Sequence, residues 1–308
     1  MKRIALCIEL APDQQRRLLT EIGADELVVL TGDHHSEECL AGCEIVFGNP
    51  PAKWLDRANS VRWVQLESVG FGEYTSMNWT DLQHRLTLTN LAGFFADPVA
   101  ETILAGLLAI ARGIDRLVIL KSTATWEGDP LRTRLTLLRG THVVLVGFGS
   151  INRRLAELLT PFRCRITAIR RDTPINTLDA ALKEADIVVC TAPDTSETRN
   201  LFDENRLSLL PTRAIFANLG RGTIVDETAL ANALTSGKLA GAVLDVTRMA
   251  PLPAEHRLWH CPNTLLTQHS GGGTADELER KIDVFVENLA RYRRSEPLKN
   301  TVDFQRGY

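Results

Sequence analysis

The sequence predicts an α/β protein of two domains, each built around a doubly wound parallel sheet, and three observations carry that prediction. At 308 residues the chain exceeds the usual size of one hydrophobic core, so two domains of roughly 100 to 200 residues are expected. Short β-rich apolar runs alternate with helix-length amphipathic segments along most of it, the pattern of parallel strands joined by crossover helices. From Val143 to Ala156 an apolar strand, a glycine turn and a helix start follow one another.

In the first part, strands are expected at Ile4–Ile8, Leu27–Leu30, Ile45–Phe47, Trp63–Gln65 and Thr87–Thr89, making one small sheet. A helix begins near Pro98, because proline suits the first helical turn, and continues past Ile110 to join the two domains. The second sheet takes strands at His142–Val146, Arg165–Ile169, Ile187–Cys190, Ala214–Asn218, Ala240–Leu244 and Thr264–Leu266. Six strands in this order suit a dinucleotide-binding domain. Ala275–Ser295 reads as a closing helix, and the tail from Glu296 to Asp303 returns to the first domain. The expected division is therefore 1–97 plus 280–308, and 98–279.

Hydrophobic content of 44%, charged content of 24% and a mean hydropathy of -0.06 describe an ordinary soluble globular chain. With a formal charge of -3 and no long basic run, the attraction to phosphate backbones that nucleic-acid binders need is missing, and a small-molecule partner is expected. The longest apolar stretch, Thr102–Ala111, is about half a membrane span and reads as a buried helix. The N-terminus lacks the apolar region and cleavage site of a secretory signal, so a cytoplasmic protein without membrane partners is expected. Six cysteines form no CxxC pair, and several sit in apolar strands as small hydrophobes, so neither a metal nor a disulfide is expected.

In the glycine turn, Gly147 permits the tight bend and Gly149 lets the backbone approach a pyrophosphate at the positive end of the following helix. Asn152 occupies the third position of the GxGxxG pattern, where glycine normally allows close helix-to-strand packing. At the end of the next strand, 23 residues after Gly147, stands Arg170, followed by Arg171 and Asp172. An NAD site places an acid there for the ribose hydroxyls. Two guanidinium groups instead offer bidentate donors to a 2′-phosphate, which points to NADP(H) with NAD(H) as the lesser cofactor. The alternative is a pair of solvated surface arginines with Asp172 taking the ribose.

Beyond this turn, the runs Ala185–Pro193, Glu197–Arg199, Ala217–Glu227, Leu239–Val246 and Thr267–Gly272 closely resemble the D-2-hydroxyacid dehydrogenases, including glyoxylate/hydroxypyruvate reductases and phosphoglycerate dehydrogenases. Val61–Gln65 with Ser68–Gly70 is similar to that family's substrate loop, Asp97–Glu101 to its interdomain helix, and Val302–Tyr308 to its closing segment. The resemblance implies two Rossmann-like domains around a cleft, the first flavodoxin-like and completed by the C-terminal segment, and commonly a dimer through the cofactor domain. It also implies that Ser150, Ile151, Thr191, Ala192, Pro193, Leu219, Gly220, Ser270, Gly271 and Gly272 line the cofactor. Asp245 would approach the nicotinamide amide, and Val69 and Gly70 would offer backbone N–H groups to a substrate carboxylate.

Reduction of a 2-keto acid to a D-2-hydroxy acid needs a hydride, a proton for the carbonyl oxygen, and positive charge for the carboxylate. Arg221, just beyond a strand end, suits the carboxylate; its alternative role is a helix-capping arginine. His269 follows a strand directly and precedes Ser270-Gly271-Gly272-Gly273, which leaves its imidazole uncrowded for acid/base work. The family's third catalytic residue, a glutamate, falls by the resemblance at Ala250. Such a carboxylate orients the imidazole and stabilises its protonated form, so with its loss any activity is expected to favour lower pH than is typical of the family. Three readings stay open: a solvent-assisted histidine in a roomier pocket, a stand-in carboxylate such as Glu255, or lost catalysis with a dinucleotide-responsive regulatory role. Formate or phosphite oxidation on the same scaffold is a weaker alternative. Phe71, Tyr74, Phe94, Phe95 and Trp259 are the loop side chains expected to decide substrate identity, with Phe71 and Phe94 equally able to belong to the core.

Overall fold

In a computed structural model of the chain, residues 1–31 and 38–304 are described. Two compact units result, Met1–Phe94 with Thr274–Tyr308, and Phe95–Gly273. In chain order the first stretch carries β1 (Arg3–Cys7), α1 (Pro12–Ile22), β2 (Glu26–Val29), β3 (Ile45–Gly48), α2 (Ala52–Arg57), β4 (Trp63–Gln65), α3 (Trp79–Leu82) and β5 (Thr87–Thr89). The second unit begins with α4 (Ala96–Arg112), α5 (Ile114–Ser122), α6 (Asp129–Arg132), β6 (His142–Val146), α7 (Ser150–Leu159) and β7 (Arg165–Ile169). It continues through α8 (Ile175–Leu182), β8 (Ile187–Cys190), α9 (Glu204–Leu209), β9 (Ala214–Asn218), α10 (Glu227–Thr235), β10 (Leu239–Leu244) and β11 (Thr264–Leu266). Finally α11 (Glu277–Arg293) rejoins the first unit.

Every strand pair is parallel, in sheets ordered β2-β1-β3-β4-β5 and β11-β10-β9-β8-β6-β7. Strands covered on both faces read as continuous apolar runs rather than alternating ones, and β6, β8 and β9 are buried at every residue. Successive side chains still go to opposite faces. Val144, Val188, Phe216 and Leu244 share one core with Leu178, Leu207 and Leu230 of α8, α9 and α10. Val143, Val189, Ala217 and Val243 share another with Ile103 and Leu107 of α4 and Leu155 of α7. Gly106 brings α4 down onto β10, since a Cβ there would lie 2.7 Å from Val243 Cγ1. The helix starts at Ala96, two residues before Pro98. Proline is tolerated because the first turn's N–H groups have no helical acceptor to lose.

In the first unit, Phe285 of α11 stacks on Phe47 at 4.5 Å and on Trp63 at 5.3 Å. The tail after α11 returns to β5: Val302 N–H donates to Leu88 O at 2.9 Å, Thr301 bridges Thr89 antiparallel, and Phe304 stacks on Trp79 at 3.6 Å. Residues 305–308, part of the expected closing segment, lie outside the described residues. Among the described residues no helix is long and apolar enough to cross a membrane.

Ligands of open α/β sheets bind beyond the carboxyl ends of strands, where the strand order reverses. That point falls between β1 and β3 in the first sheet and between β6 and β8 in the second.

Candidate functional site

At the second switch point β6 runs into Gly147, whose φ of +80° lies in the left-handed region. A Cβ there would stand 2.7 Å from the Cα and N of Ala192, so the turn rests directly on the segment after β8. Thr191 secures it, its N–H donating to Val146 O at 2.9 Å and its Oγ1 to Gly147 O at 3.0 Å. Gly149 N–H donates to Gly147 O at 2.8 Å, and nothing lies within 4 Å of where its Cβ would stand. That leaves open surface at the start of α7, with Ser150 exposed and Ile151 half-buried, where backbone N–H groups and the helix dipole favour a pyrophosphate. Gly220 closes the same surface: a Cβ on it would meet Ala192 O at 2.6 Å, while Leu219 N–H donates to Cys190 O at 3.0 Å. Pro193 is exposed beside them. The residues thus form a cradle fitted to a dinucleotide. Burial pushes the Cys190 thiol up to about 12, so it is inert at neutral pH.

Asn152 does more here than sequence reasoning anticipated. It is fully buried, and its Nδ2 donates to Val146 O and to Gly147 O, each at 3.1 Å. A side chain in place of the third glycine therefore braces the turn instead of only fitting under it. Its Oδ1 is buried without a hydrogen-bond partner.

Beyond β7, Arg170 is exposed, its N–H donates to Thr173 Oγ1 at 2.9 Å, and its guanidinium carbon lies over the Phe148 ring at 5.0 Å. Arg171 faces Glu197 at 3.8 Å. Asp172 is exposed.

Arg221 leaves β9 behind Gly220, with its Nη1 donating to Gly220 O at 2.8 Å and its own carbonyl accepting from Asn218 Nδ2 at 2.9 Å. The next residue requires glycine, because a Cβ on Gly222 would lie 2.0 Å from the Thr247 carbonyl carbon. The loop after β10 therefore lies directly on the Arg221–Gly222 backbone. Glu227 Oε1 accepts from Arg248 N–H at 2.5 Å, and the Arg248 guanidinium reaches Val225 O at 3.1 Å, which together hold that loop in place.

His269 comes off β11 in a turn where Gln268 and His269 have φ of +54° and +58°. Consecutive left-handed non-glycine residues store of order 1–3 kcal/mol each, strain that a binding site characteristically carries. The turn is held by His269 N–H to Asp245 O at 2.7 Å, and by Asp245 Oδ1 accepting from Thr267 Oγ1 at 2.6 Å and Gly271 N–H at 2.9 Å. Ser270 Oγ donates to Thr267 O at 2.6 Å, and Gly272 packs on Phe95, where a Cβ would lie 2.9 Å from the ring. Arg221 and His269 border one cavity of about 790 Å³, which Arg248, Ala250, Leu252, Trp259 and Leu266 also line. The exposed Ala250 contributes only a methyl group, and Glu255, also exposed, is not part of the wall. Among the described residues no side chain hydrogen-bonds the His269 imidazole.

In the first unit, the exposed Val69 and Gly70 follow β4. Two neighbours that sequence reasoning passed over, Asn90 and Asn49, shape this loop together with its own Ser68. Asn90 Nδ2 donates to Val69 O at 2.9 Å, Ser68 Oγ to Gly70 O at 2.7 Å, and Asn49 accepts from Glu67 N–H at 3.1 Å while donating to Ser68 Oγ at 3.1 Å. Asn49 was signalled only by its place directly after a strand end. Of the side chains expected to decide substrate identity, Phe71 takes its core alternative and Tyr74 belongs to the core instead. Phe71 is 5% exposed, and Tyr74 is fully buried with its OH donating to Pro50 O at 2.8 Å. Each ring finds an apolar neighbourhood supplied by residues distant in sequence. Phe94 lies under the Arg280 guanidinium at 4.5 Å, and Trp259 donates from Nε1 to Pro253 O at 2.9 Å.

An open phosphate-sized surface at a helix start, in the same unit as a cavity flanked by arginine and histidine, is the arrangement of a nicotinamide-dinucleotide-dependent oxidoreductase. Residues 104–271 match the family model described as D-isomer specific 2-hydroxyacid dehydrogenase, NAD binding domain. The chain is 31% identical to a glyoxylate reductase of Thermofilum pendens over 77% of this chain and 74% of that protein. It is 30% identical to a hydroxyphenylpyruvate reductase of Plectranthus scutellarioides, over 82% and 81% of the two chains. A crystal structure of a D-isomer specific 2-hydroxyacid dehydrogenase family protein from Aeromonas salmonicida superposes with a TM-score of 0.82 at 26% identity, covering 98% of this chain and 99% of that one. The chain belongs to the D-isomer specific 2-hydroxyacid dehydrogenase family, and its activity is NAD(P)-dependent oxidoreduction of that substrate class.

Proposed function

We propose that this chain is an NADP(H)-preferring reductase that converts small 2-keto acids to D-2-hydroxy acids, reversibly. The observation that carries the reading is the placement of Arg221 and His269 on one cavity beyond the ends of β9 and β11. The Arg221 fork binds and polarises the carboxylate end, and His269 delivers the proton to the carbonyl oxygen. Bound in the cradle, the cofactor supplies the hydride. Gly147, Gly149, Ser150 and Ile151 hold its pyrophosphate, Thr191, Ala192, Pro193, Leu219 and Gly220 flank it, and Ser270, Gly271 and Gly272 close the nicotinamide end near Asp245. Val69 and Gly70 offer N–H groups to the substrate carboxylate. Preference for NADP(H) follows from Arg170 and Arg171 standing where an acid would serve the ribose. The names of the related glyoxylate and hydroxyphenylpyruvate reductases bracket the substrate class.

Ala250 stands where the family's glutamate supports the histidine, so activity is weakened and falls away as pH rises. An imidazole without a hydrogen-bond partner among the described residues also favours a second reading, a dinucleotide-responsive regulatory protein on the same fold. NADPH and NADH oxidation by the purified protein against a panel of 2-keto acids, from mildly acidic to neutral pH, separates the two. Turnover with at least one keto acid, faster with NADPH, is expected. NADPH binding without turnover at any pH overturns the enzyme reading in favour of the regulatory one. The chain further acts as a cytoplasmic homodimer formed through the second unit, on whose α5 no residue is buried.

A further inference from the structure

We propose that Phe148 is a positioning residue that holds the Arg170 guanidinium ready for the 2′-phosphate of the cofactor, and so sets cofactor preference from within the glycine turn; this rests on the NADP(H) reading above. Phe148 is half-buried between Gly147 and Gly149, packed against the core under α4 and α7. The turn that carries the pyrophosphate surface therefore also presents an anchored aromatic face. Arg170 lies over that face at 5.0 Å, and its backbone is fixed by Thr173 Oγ1 at 2.9 Å.

The manner of holding matters chemically. A carboxylate partner would consume the in-plane N–H donors of a guanidinium and cancel its charge. An aromatic ring attracts the cation through its face and leaves those donors and the charge available to a phosphate. Among the described residues the Arg170 side chain has no ion pair, whereas Arg171 faces Glu197 at 3.8 Å. Arg170 is thus the better-prepared of the two. An arginine confined before the ligand arrives loses less rotamer freedom on binding, which tightens the complex.

The test needs no turnover. Calorimetric titration of the apo protein with adenosine 2′,5′-bisphosphate and with adenosine 5′-monophosphate isolates recognition of the 2′-phosphate. The wild type is expected to favour the bisphosphate by roughly tenfold or more. Phe148→Leu, which keeps apolar bulk but has no aromatic face, is expected to cut that ratio roughly fivefold, with Phe148→Tyr restoring it. In an Arg170→Ala background the Phe148→Leu change should have no further effect on the ratio. Equal weakening of both nucleotides by Phe148→Leu, or an effect that survives without Arg170, overturns the proposal and leaves Phe148 a packing residue. A wild-type protein with no preference for the bisphosphate overturns the NADP(H) reading and this inference with it, while an intact preference untouched by Phe148→Leu overturns this inference alone.

Discussion

His269 is presented by a strained turn yet its imidazole has no hydrogen-bond partner among the described residues, and Ala250 offers it none across the cavity. An Ala250→Glu substitution is expected to raise 2-keto acid reduction at neutral pH by roughly tenfold, because a hydrogen bond to a charged group contributes about 1.5–3 kcal/mol and here stabilises the protonated imidazole. The comparison is made across the rate profile from mildly acidic to neutral pH. An unchanged profile would show that the position does not communicate with His269. At this scale sequence legibility was uneven. Gly147 was readable because left-handed backbone before a helix calls for glycine. The bracing by Asn152 was not, since the two carbonyls it binds belong to the strand and turn beneath it.

Between elements, the coupling of two loops is the sharpest feature. Gly222 lets the segment after β10 lie on the segment after β9, with a would-be Cβ 2.0 Å from the Thr247 carbonyl carbon. Gly222→Ala is therefore expected to push backbone against backbone, costing about 2 kcal/mol or more of stability and moving Arg221 enough to raise the KM for keto acid. Chemical denaturation and steady-state kinetics together read this out, and a variant with wild-type values in both would contradict the packing. In the first unit, Asp25 ties the residue before β1 to the end of α11, accepting from Lys2 N–H and from Arg293, each at 2.8 Å. Burial raises its carboxyl, but these two hydrogen bonds outweigh burial and hold it below the usual range. A folded value below the unfolded one stabilises above the unfolded value and is lost as pH falls through the folded one. Asp25→Asn should accordingly cost about 1–3 kcal/mol at neutral pH and nothing measurable once the wild-type carboxyl is protonated, as urea titrations at both pH values would record.

For the whole molecule, α5 and its surroundings are the conspicuous surface. Val118 and Ile119 are 63% and 64% exposed, and Trp126, just past the helix, is 94% exposed, large apolar side chains of the kind that a subunit interface covers. Sedimentation should find the wild type dimeric and a Val118→Asp/Ile119→Asp double variant monomeric at micromolar concentration. A monomeric wild type would remove the dimer from the proposal.

What the sequence by itself determined is the class and order of the architecture. Buried parallel strands need continuous apolar runs and crossover helices need amphipathic ones, so Trp63–Gln65, Thr87–Thr89, His142–Val146 and Ile187–Cys190 are readable to the residue. The glycine turn was readable for the same reason, as its constraint is local. Only the tertiary structure decided that Phe71 and Tyr74 are core, that Asn49 and Asn90 shape the Val69–Gly70 loop, and that Arg170 rests on Phe148. Local patterns encode what neighbours along the chain must do. The partner of a side chain across a sheet end is set by packing between segments far apart in sequence, and no periodicity records it.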